Sequence, residues 1–166
     1  MTNLLQTADA PVEPPRIDAM DRKILRLLQV DATLSLAEIS ARVGLSQTPC
    51  WKRIQRLEAS GVVEKRVAIL SASAIGLGLA VFVSIESGDH SAAWLNGFAA
   101  AVCAMPEVMD VYRMAGDVDY MLRVAVRDVA AYDAFYKRLI AAVPLKTVTS
   151  RFAMEAIKVS TAYAQL

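Results

Sequence analysis

Leu34-Ser35-Leu36-Ala37-Glu38-Ile39-Ser40-Ala41-Arg42-Val43-Gly44-Leu45-Ser46 is the stretch whose reading organises the rest of the chain. Ser35 stands as an N-cap, Glu38 three residues on is placed to return its hydrogen bond, and Leu34 and Ile39 bracket the cap as a hydrophobic staple. Gly44 ends this helix, because glycine takes the left-handed backbone conformation without a Cβ penalty. Only Leu45 separates it from Ser46, which caps a further helix with Pro49 in its first turn, where a missing amide hydrogen costs little. Gly61 stops that helix. Upstream, Ile17, Met20, Ile24, Leu27 and Leu28 recur at helical spacing, with Asp18 placed to cap and Asp21 three residues later. Two short helices joined by a tight Gly-containing turn, with another helix before them, make a helix-turn-helix plan.

Helical phase separates the faces of the third helix. At about 100° per residue Cys50, Ile54 and Leu57 share one side, Thr48, Lys52, Gln55 and Arg56 the opposite side, and Gln47, Trp51 and Arg53 flank the two. A helix that reads DNA needs such a face, since amides and hydroxyls match base edges while Lys and Arg neutralise phosphate or donate to guanine. The same pattern also fits a solvated amphipathic helix. Val62 to Leu70 reads as extended, and its Lys65 and Arg66 are placed to touch phosphates as a small wing.

Beyond Gly76 and Gly78 the chain alternates strand and helix. Leu79 to Ile85 is a strand; Leu95, Phe98, Ala99 and Val102 recur at helical spacing up to Pro106; Val108 to Met114 and Tyr120 to Val126 form a hairpin around Gly116. Val129, Tyr132, Phe135, Tyr136, Leu139, Ile140 and Val143 give a helix capped by Asp128 and ended at Pro144, and Val148 to Ile157 is the last strand. The order strand-helix-strand-strand-helix-strand is a ferredoxin-like βαββαβ plan. Its own helices cover one sheet face, yet Val81, Phe82, Met121, Phe152 and Met154 imply apolar residues on both, which predicts a dimer.

The fold class is therefore α+β, a winged helix-turn-helix followed by a ferredoxin-like domain. The expected divisions are a mobile extension over residues 1–16, a helix-turn-helix domain over 17–63, an extended linker or wing over 64–75, the ferredoxin-like domain over 76–160, and a tail over 161–166. With 166 residues and 55% apolar composition, the chain is long enough for a real core and too apolar for a disordered tail protein. Net charge is only +1, but residues 16–66 hold ten Lys/Arg against six Asp/Glu, while residues 67–166 hold eight against nine. That asymmetry points to different partners for the two halves.

Several chemistries find no support. Cys50 and Cys103 stand in no CxxC arrangement, which gives neither a disulfide framework nor a zinc site. One histidine, His90, no nucleophile elbow and no phosphate-binding glycine loop leave little for catalysis, so no cofactor, no metal and no enzyme activity are expected. The most apolar stretch, Ala74 to Ile85, falls far short of the roughly 20 residues a membrane span needs, and with no secretory signal the expected location is the cytoplasm. Cys50 faces the helix-turn-helix core, where packing rather than thiol chemistry is expected.

Ile17-Asp18-x-x-Asp21 with Ile24-Leu25-x-x-Leu28-Gln29-x-Asp31, then Gly44-Leu45-Ser46, Arg53-x-x-Arg56-Leu57-Glu58, Gly61-Val62 and Gly116-Asp117-x-Asp119-Tyr120 together resemble the Lrp/AsnC family of amino-acid regulators, over about residues 17–160. Thr48-Pro49-Cys50-Trp51-Lys52-Arg53 and Tyr112-Arg113-Met114-Ala115-Gly116 resemble its cysteine-responsive branch. The resemblance implies a transcriptional regulator with a DNA-binding domain, a hinge, and an effector and oligomerisation domain. It also implies an amino-acid site between subunits, lined by Met114, Ala115, Gly116, Asp117, Asp119 and Tyr120 and by Thr147, Thr149 and Ser150. There Asp117 or Asp119 engages an ammonium, and loop amides with Thr149 or Ser150 hold a carboxylate. Val118, between the aspartates, departs from the aromatic residue the family often has. Read without the family, the same loop is an ordinary Gly/Asp hairpin turn.

The expected DNA contacts are Gln47, Thr48, Trp51 and Lys52 toward bases and Arg53, Arg56, Lys65 and Arg66 toward phosphates, with Ser46 also at the DNA and Arg53 alternatively held inside the protein. The expected partners are double-stranded DNA with a pseudo-palindromic operator, an amino-acid effector, and further copies of the chain as dimer or higher oligomer. Two other classes share parts of this plan: a haem-pathway decarboxylase with a vestigial helix-turn-helix, and a ligand-binding scaffold without DNA contact. The basic face of Thr48, Lys52 and Arg56 argues against the enzyme, and a scaffold would tolerate Lys52→Ala and Arg56→Ala unchanged.

Overall fold

The computed structural model describes residues 15–166; the extension expected over residues 1–16 lies, as far as residue 14, outside the described residues. The chain divides into two compact units, one running to Ile69 and including Ile157–Leu166, the other Leu70–Ala156.

In the first unit, α1 (Ala19–Leu28), α2 (Leu36–Val43) and α3 (Gln47–Ala59) begin and end where their caps place them. Asp18 Oδ1 accepts from the Met20 and Asp21 amides, each at 2.8 Å, and the Asp18 amide donates to Asp21 Oδ2 at 3.0 Å. The Ser35 amide donates to Glu38 Oε2 at 2.8 Å, and the Glu38 amide to Ser35 Oγ at 3.3 Å, which closes a second capping box. Gly44 holds a φ of 76°, a left-handed C-cap. Ser46 occupies the N-cap of α3 but its hydroxyl makes no capping bond. Pro49, at the third helical position, has no N–H to donate to it, so one of the two amides a cap can use is absent.

Ile24, Leu25 and Leu28 of α1, Ile39 and Val43 of α2, and Cys50, Ile54 and Leu57 of α3 meet in one buried cluster. Leu166 packs against the same cluster. The Tyr163 amide donates to Gln29 Oε1 at 2.8 Å and the Gln29 amide donates back to the Tyr163 carbonyl at 3.1 Å, while Arg26 Nε donates to the Leu166 carbonyl at 2.5 Å. Residues 161–166, expected as a separate tail, thus pack with the helical unit, through partners 134 to 140 residues away that no local pattern announces. The stretch after Gly61, expected to be extended as a linker or wing, forms neither helix nor strand and pairs with no strand among the described residues. Lys65 and Arg66 lie on this connector.

The second unit runs β1 (Leu79–Glu86), α4 (Ala92–Cys103), β2 (Val108–Arg113), β3 (Tyr120–Val126), α5 (Val129–Ala142) and β4 (Thr147–Phe152). Its antiparallel sheet has the order β2-β3-β1-β4, with Val83 opposite both Leu122 and Ser150. β4 ends at Phe152 rather than Ile157, because its partner β1 begins at Leu79 and the last cross-strand bond runs from the Ala153 amide to the Ala80 carbonyl. Met154 and Ile157 beyond it are exposed.

Strand alternation sorts the side chains into two faces. Val81, Val83, Ile85, Tyr120, Leu122, Val124 and Val126 meet Trp94, Phe98, Val102, Tyr132, Phe135 and Leu139 of the two helices in one core. Val129 and Ile140, expected on the buried face of α5, are exposed. On the other sheet face lie Phe82 and Ser84 of β1, Tyr112 of β2, Met121 and Arg123 of β3, and Thr149 and Arg151 of β4. Val81 and Phe152 belong to the helix side, where Phe152 meets the Tyr132 ring edge-on at 5.1 Å. No helix among the described residues is long and apolar enough to cross a membrane.

Candidate functional site

On α3 the faces fall as the phase requires. Cys50, Ile54 and Leu57 are buried, and Ser46, Gln47, Thr48, Trp51 and Lys52 are exposed, the Trp51 side being half open to solvent. Burial pushes the Cys50 thiol above its ordinary pKa, which disfavours the reactive thiolate.

The arginines behave differently. Arg53 Nη1 lies 2.6 Å from Asp18 Oδ2 and 2.9 Å from Asp21 Oδ1, and Arg56 Nη2 pairs with Asp21 Oδ2. Arg66 Nη2 pairs with Glu58 at 2.7 Å. Three of the four expected phosphate contacts are thus engaged within the unit, while Lys65 and, on the exposed face of α3, Lys52 make no ion pair among the described residues. The Asp18 carboxyl is lowered to about 2, first by the Asp21 amide and then by the Arg53 guanidinium, and the Arg53 pKa is raised in turn. In the sequence Asp18 and Asp21 read as caps only. A signal was present: each acidic pair and each basic pair is three residues apart, so each presents one face of its helix.

In the second unit the β2–β3 loop holds Met114, Ala115, Gly116 and Asp117 exposed, with Gly116 at φ 133°, a conformation that excludes most side chains. Asp119 anchors the loop. Its amide donates to the Ile85 carbonyl at 3.0 Å, its carbonyl accepts from the Met114 amide at 2.8 Å, and its Oδ2 accepts from the Ser87 amide at 2.7 Å. His90 Nδ1 stands 3.9 Å from Asp119 Oδ1. Thr147 and Thr149 are exposed on β4.

Two expected effector residues, Tyr120 and Ser150, face the helix side of the sheet. Tyr120 is only 6% exposed and packs against Trp94 and Phe98, with ring centroids 5.7 and 4.6 Å away. It shares strand parity with Leu122 and Val124, so its ring belongs to the core. Ser150 likewise sits on the helix side, where its hydroxyl bonds the Tyr132 hydroxyl. Among the described residues no three His, Cys, Asp or Glu side chains gather to hold a metal ion.

A helix-turn-helix whose third helix keeps a polar exposed face, in one chain with a separate βαββαβ unit, is the layout of a DNA-binding transcriptional regulator. The AsnC-type helix-turn-helix domain matches residues 17–58 and the Lrp/AsnC ligand binding domain residues 80–163. The chain belongs to the Lrp/AsnC family. It is 51% identical over 146 residues to the DNA-binding transcriptional activator DecR of Escherichia coli K12, covering 87% of this chain and 96% of the relative. It is 47% identical to the glutamate uptake regulatory protein of Zymomonas mobilis, covering 88% and 89%. Among solved structures, an AsnC family transcriptional regulator from Agrobacterium tumefaciens superposes with a TM-score of 0.86 at 53% identity, covering 88% of this chain and 95% of the other. A Neisseria meningitidis transcriptional regulator in complex with L-Met superposes with a TM-score of 0.85 at 32% identity, covering 89% and 96%.

Proposed function

We propose that this regulator binds a pseudo-palindromic operator as a dimer or higher oligomer and that an amino acid sets its occupancy. The observation that carries the DNA reading is the division of α3: three apolar side chains buried, and Ser46, Gln47, Thr48, Trp51 and Lys52 exposed together. Gln47, Thr48, Trp51 and Lys52 meet base edges, and Lys65 meets phosphate. Two-fold symmetry places two reading helices roughly 34 Å apart, or a multiple of that, so the operator repeats with the same symmetry.

The dimer contact is the uncovered sheet face, where Phe82 is 40% and Tyr112 57% exposed around Met121. A second copy buries these exposed rings, which stand among Ser84, Arg123, Thr149 and Arg151 of the same face. The effector is an α-amino acid at the β2–β3 loop. Asp117 is the ammonium partner, because Asp119 already spends one carboxylate oxygen on the Ser87 amide. Loop amides and the Thr149 hydroxyl take the carboxylate. Binding regulates by favouring one subunit arrangement over another. The chain works on DNA in the cytoplasm and carries no catalytic site.

Gel-shift titration on DNA flanking its own gene and on scrambled duplex, at fixed salt, tests this reading, repeated with cysteine first and then a panel of amino acids. The expected result is a preference for the flanking DNA that one amino acid alters. Equal affinity for both duplexes in every condition would overturn the DNA reading, and specific binding insensitive to every amino acid would overturn the effector reading alone.

A further inference from the structure

Among the described residues Asp21 is the only fully buried carboxylate of the helical unit, and two guanidiniums converge on it from α3. Its Oδ1 takes Arg53; its Oδ2 takes Arg56 and also the Asp18 amide that starts α1. Asp18 adds a second carboxylate to Arg53. Two negative and two positive side chains are thereby closed into a neutral cluster that ties the first turn of α1 to the middle of α3.

Such a cluster is not easily opened by DNA. A phosphate that captured Arg56 would leave a buried carboxylate with one partner fewer, which is strongly unfavourable. Arg53, shared by two carboxylates and with its side chain only 30% exposed, is held more firmly still. The cluster also fixes α3 at one point along its length, 32 and 35 residues from its acidic anchor, and so fixes which way Gln47, Thr48 and Trp51 face.

We infer that Asp21 is a positioning residue for DNA reading: through Arg53 and Arg56 it sets the orientation of α3 and withholds both guanidiniums from the phosphates, so specificity rests on a clamp that itself touches no DNA. The inference rests on α3 being the reading helix, as proposed above, and removes Arg53 and Arg56 from the contacts expected from sequence.

The test begins with an operator selected by the wild-type protein from randomised duplex. Affinities for that operator and for scrambled duplex are then measured from about 50 to 200 mM salt for wild type, Arg56→Gln and Asp21→Asn. Arg56→Gln, altering a half-exposed side chain, is expected to leave the slope of log affinity against log salt unchanged on both duplexes. A slope shallower by about 0.9, the value of one phosphate contact, would overturn the inference. Asp21→Asn is expected to lower the operator-to-scrambled ratio about tenfold or more, the scale of one or two lost base contacts, while scrambled-duplex affinity holds or rises and the slope steepens as guanidiniums are released. Equal loss on both duplexes with an unaltered slope would mark Asp21 as merely structural and overturn the inference. Should Asp21→Asn not fold, as judged by circular dichroism, the Arg56→Gln slope decides alone. If the wild type enriches no sequence, the reading role of α3 falls and this inference with it; a selected operator with a shallower Arg56→Gln slope would sink only the inference.

Discussion

Replacing Tyr120 separates a core role from a ligand role more sharply than any change in the exposed loop. Its ring lies 4.6 Å from Phe98 and 5.7 Å from Trp94, and those two stack on each other at 5.0 Å. Truncation of a buried aromatic costs about 3–5 kcal/mol, within which each aromatic pair contributes roughly 0.5–1.5 kcal/mol. In a domain of this size 1 kcal/mol moves the melting temperature by about 4–8 °C, so Tyr120→Ala is expected to lower that of the βαββαβ unit by roughly 15 °C or more. Tyr120→Phe keeps the ring and its packing; it is expected to change stability by less than about 1 kcal/mol, because neither volume nor stacking is lost. The assay pairs calorimetric melting with titration of the amino acid that the gel shift identifies. If Tyr120→Phe keeps the melting temperature but weakens effector binding by more than about tenfold, corresponding to 1.4 kcal/mol, the hydroxyl is a ligand contact and the assignment of Tyr120 to the core alone is refuted.

Three further outcomes follow from the same geometry. Lys65→Ala is expected to weaken binding to all duplexes alike and to flatten the salt slope by about one contact, whereas Gln47→Ala blunts discrimination between sites; equal loss of specificity from both would refute their assigned roles. Asp18 has a folded-state pKa near 2, below the ordinary value of 3.8, so the stability it contributes is present above about pH 4 and is lost as pH falls toward 2; an NMR titration of its carboxyl carbon in wild type and in Arg53→Met should show the midpoint rise in the variant. Phe82→Asp places a charge on the uncovered sheet face and is expected to yield monomers in analytical ultracentrifugation with helical content intact; an unchanged oligomer would move the dimer contact elsewhere.

Much of the fold was legible because its signals are local. Ser35 and Glu38 find each other within one helical turn, and so do Asp18 and Asp21. The parity that turns Tyr120 inward was also present, since Tyr120, Leu122, Val124 and Val126 alternate with Met121, Arg123 and Ala125. Parity alone puts the Tyr120 ring on the core side of the sheet. The termination of β4 was not legible in the same way: Met154 and Ile157 continue an apolar spacing, but a strand persists only while a neighbour accepts its hydrogen bonds. The bond missing from Ser46 lies between these cases, for Pro49 is visible in the sequence and its lack of an N–H removes one of the two donors a capping hydroxyl can use.

The reading helix and its exposed residues, the βαββαβ order and the loop around Gly116 were determined by the sequence itself, through caps, breakers and periodicities that act over a few residues. Only the tertiary structure decided which charges remain available. Arg53, Arg56, Lys52 and Lys65 look alike in a linear chain, yet the fold closes two of them onto Asp21 and leaves Lys52 and Lys65 without an ion pair among the described residues. The physical reason is range. A cap or an amphipathic face is set by neighbours in the chain, whereas an ion pair across more than thirty residues exists only once two helices have packed, and burial then makes that pair too costly to exchange for DNA.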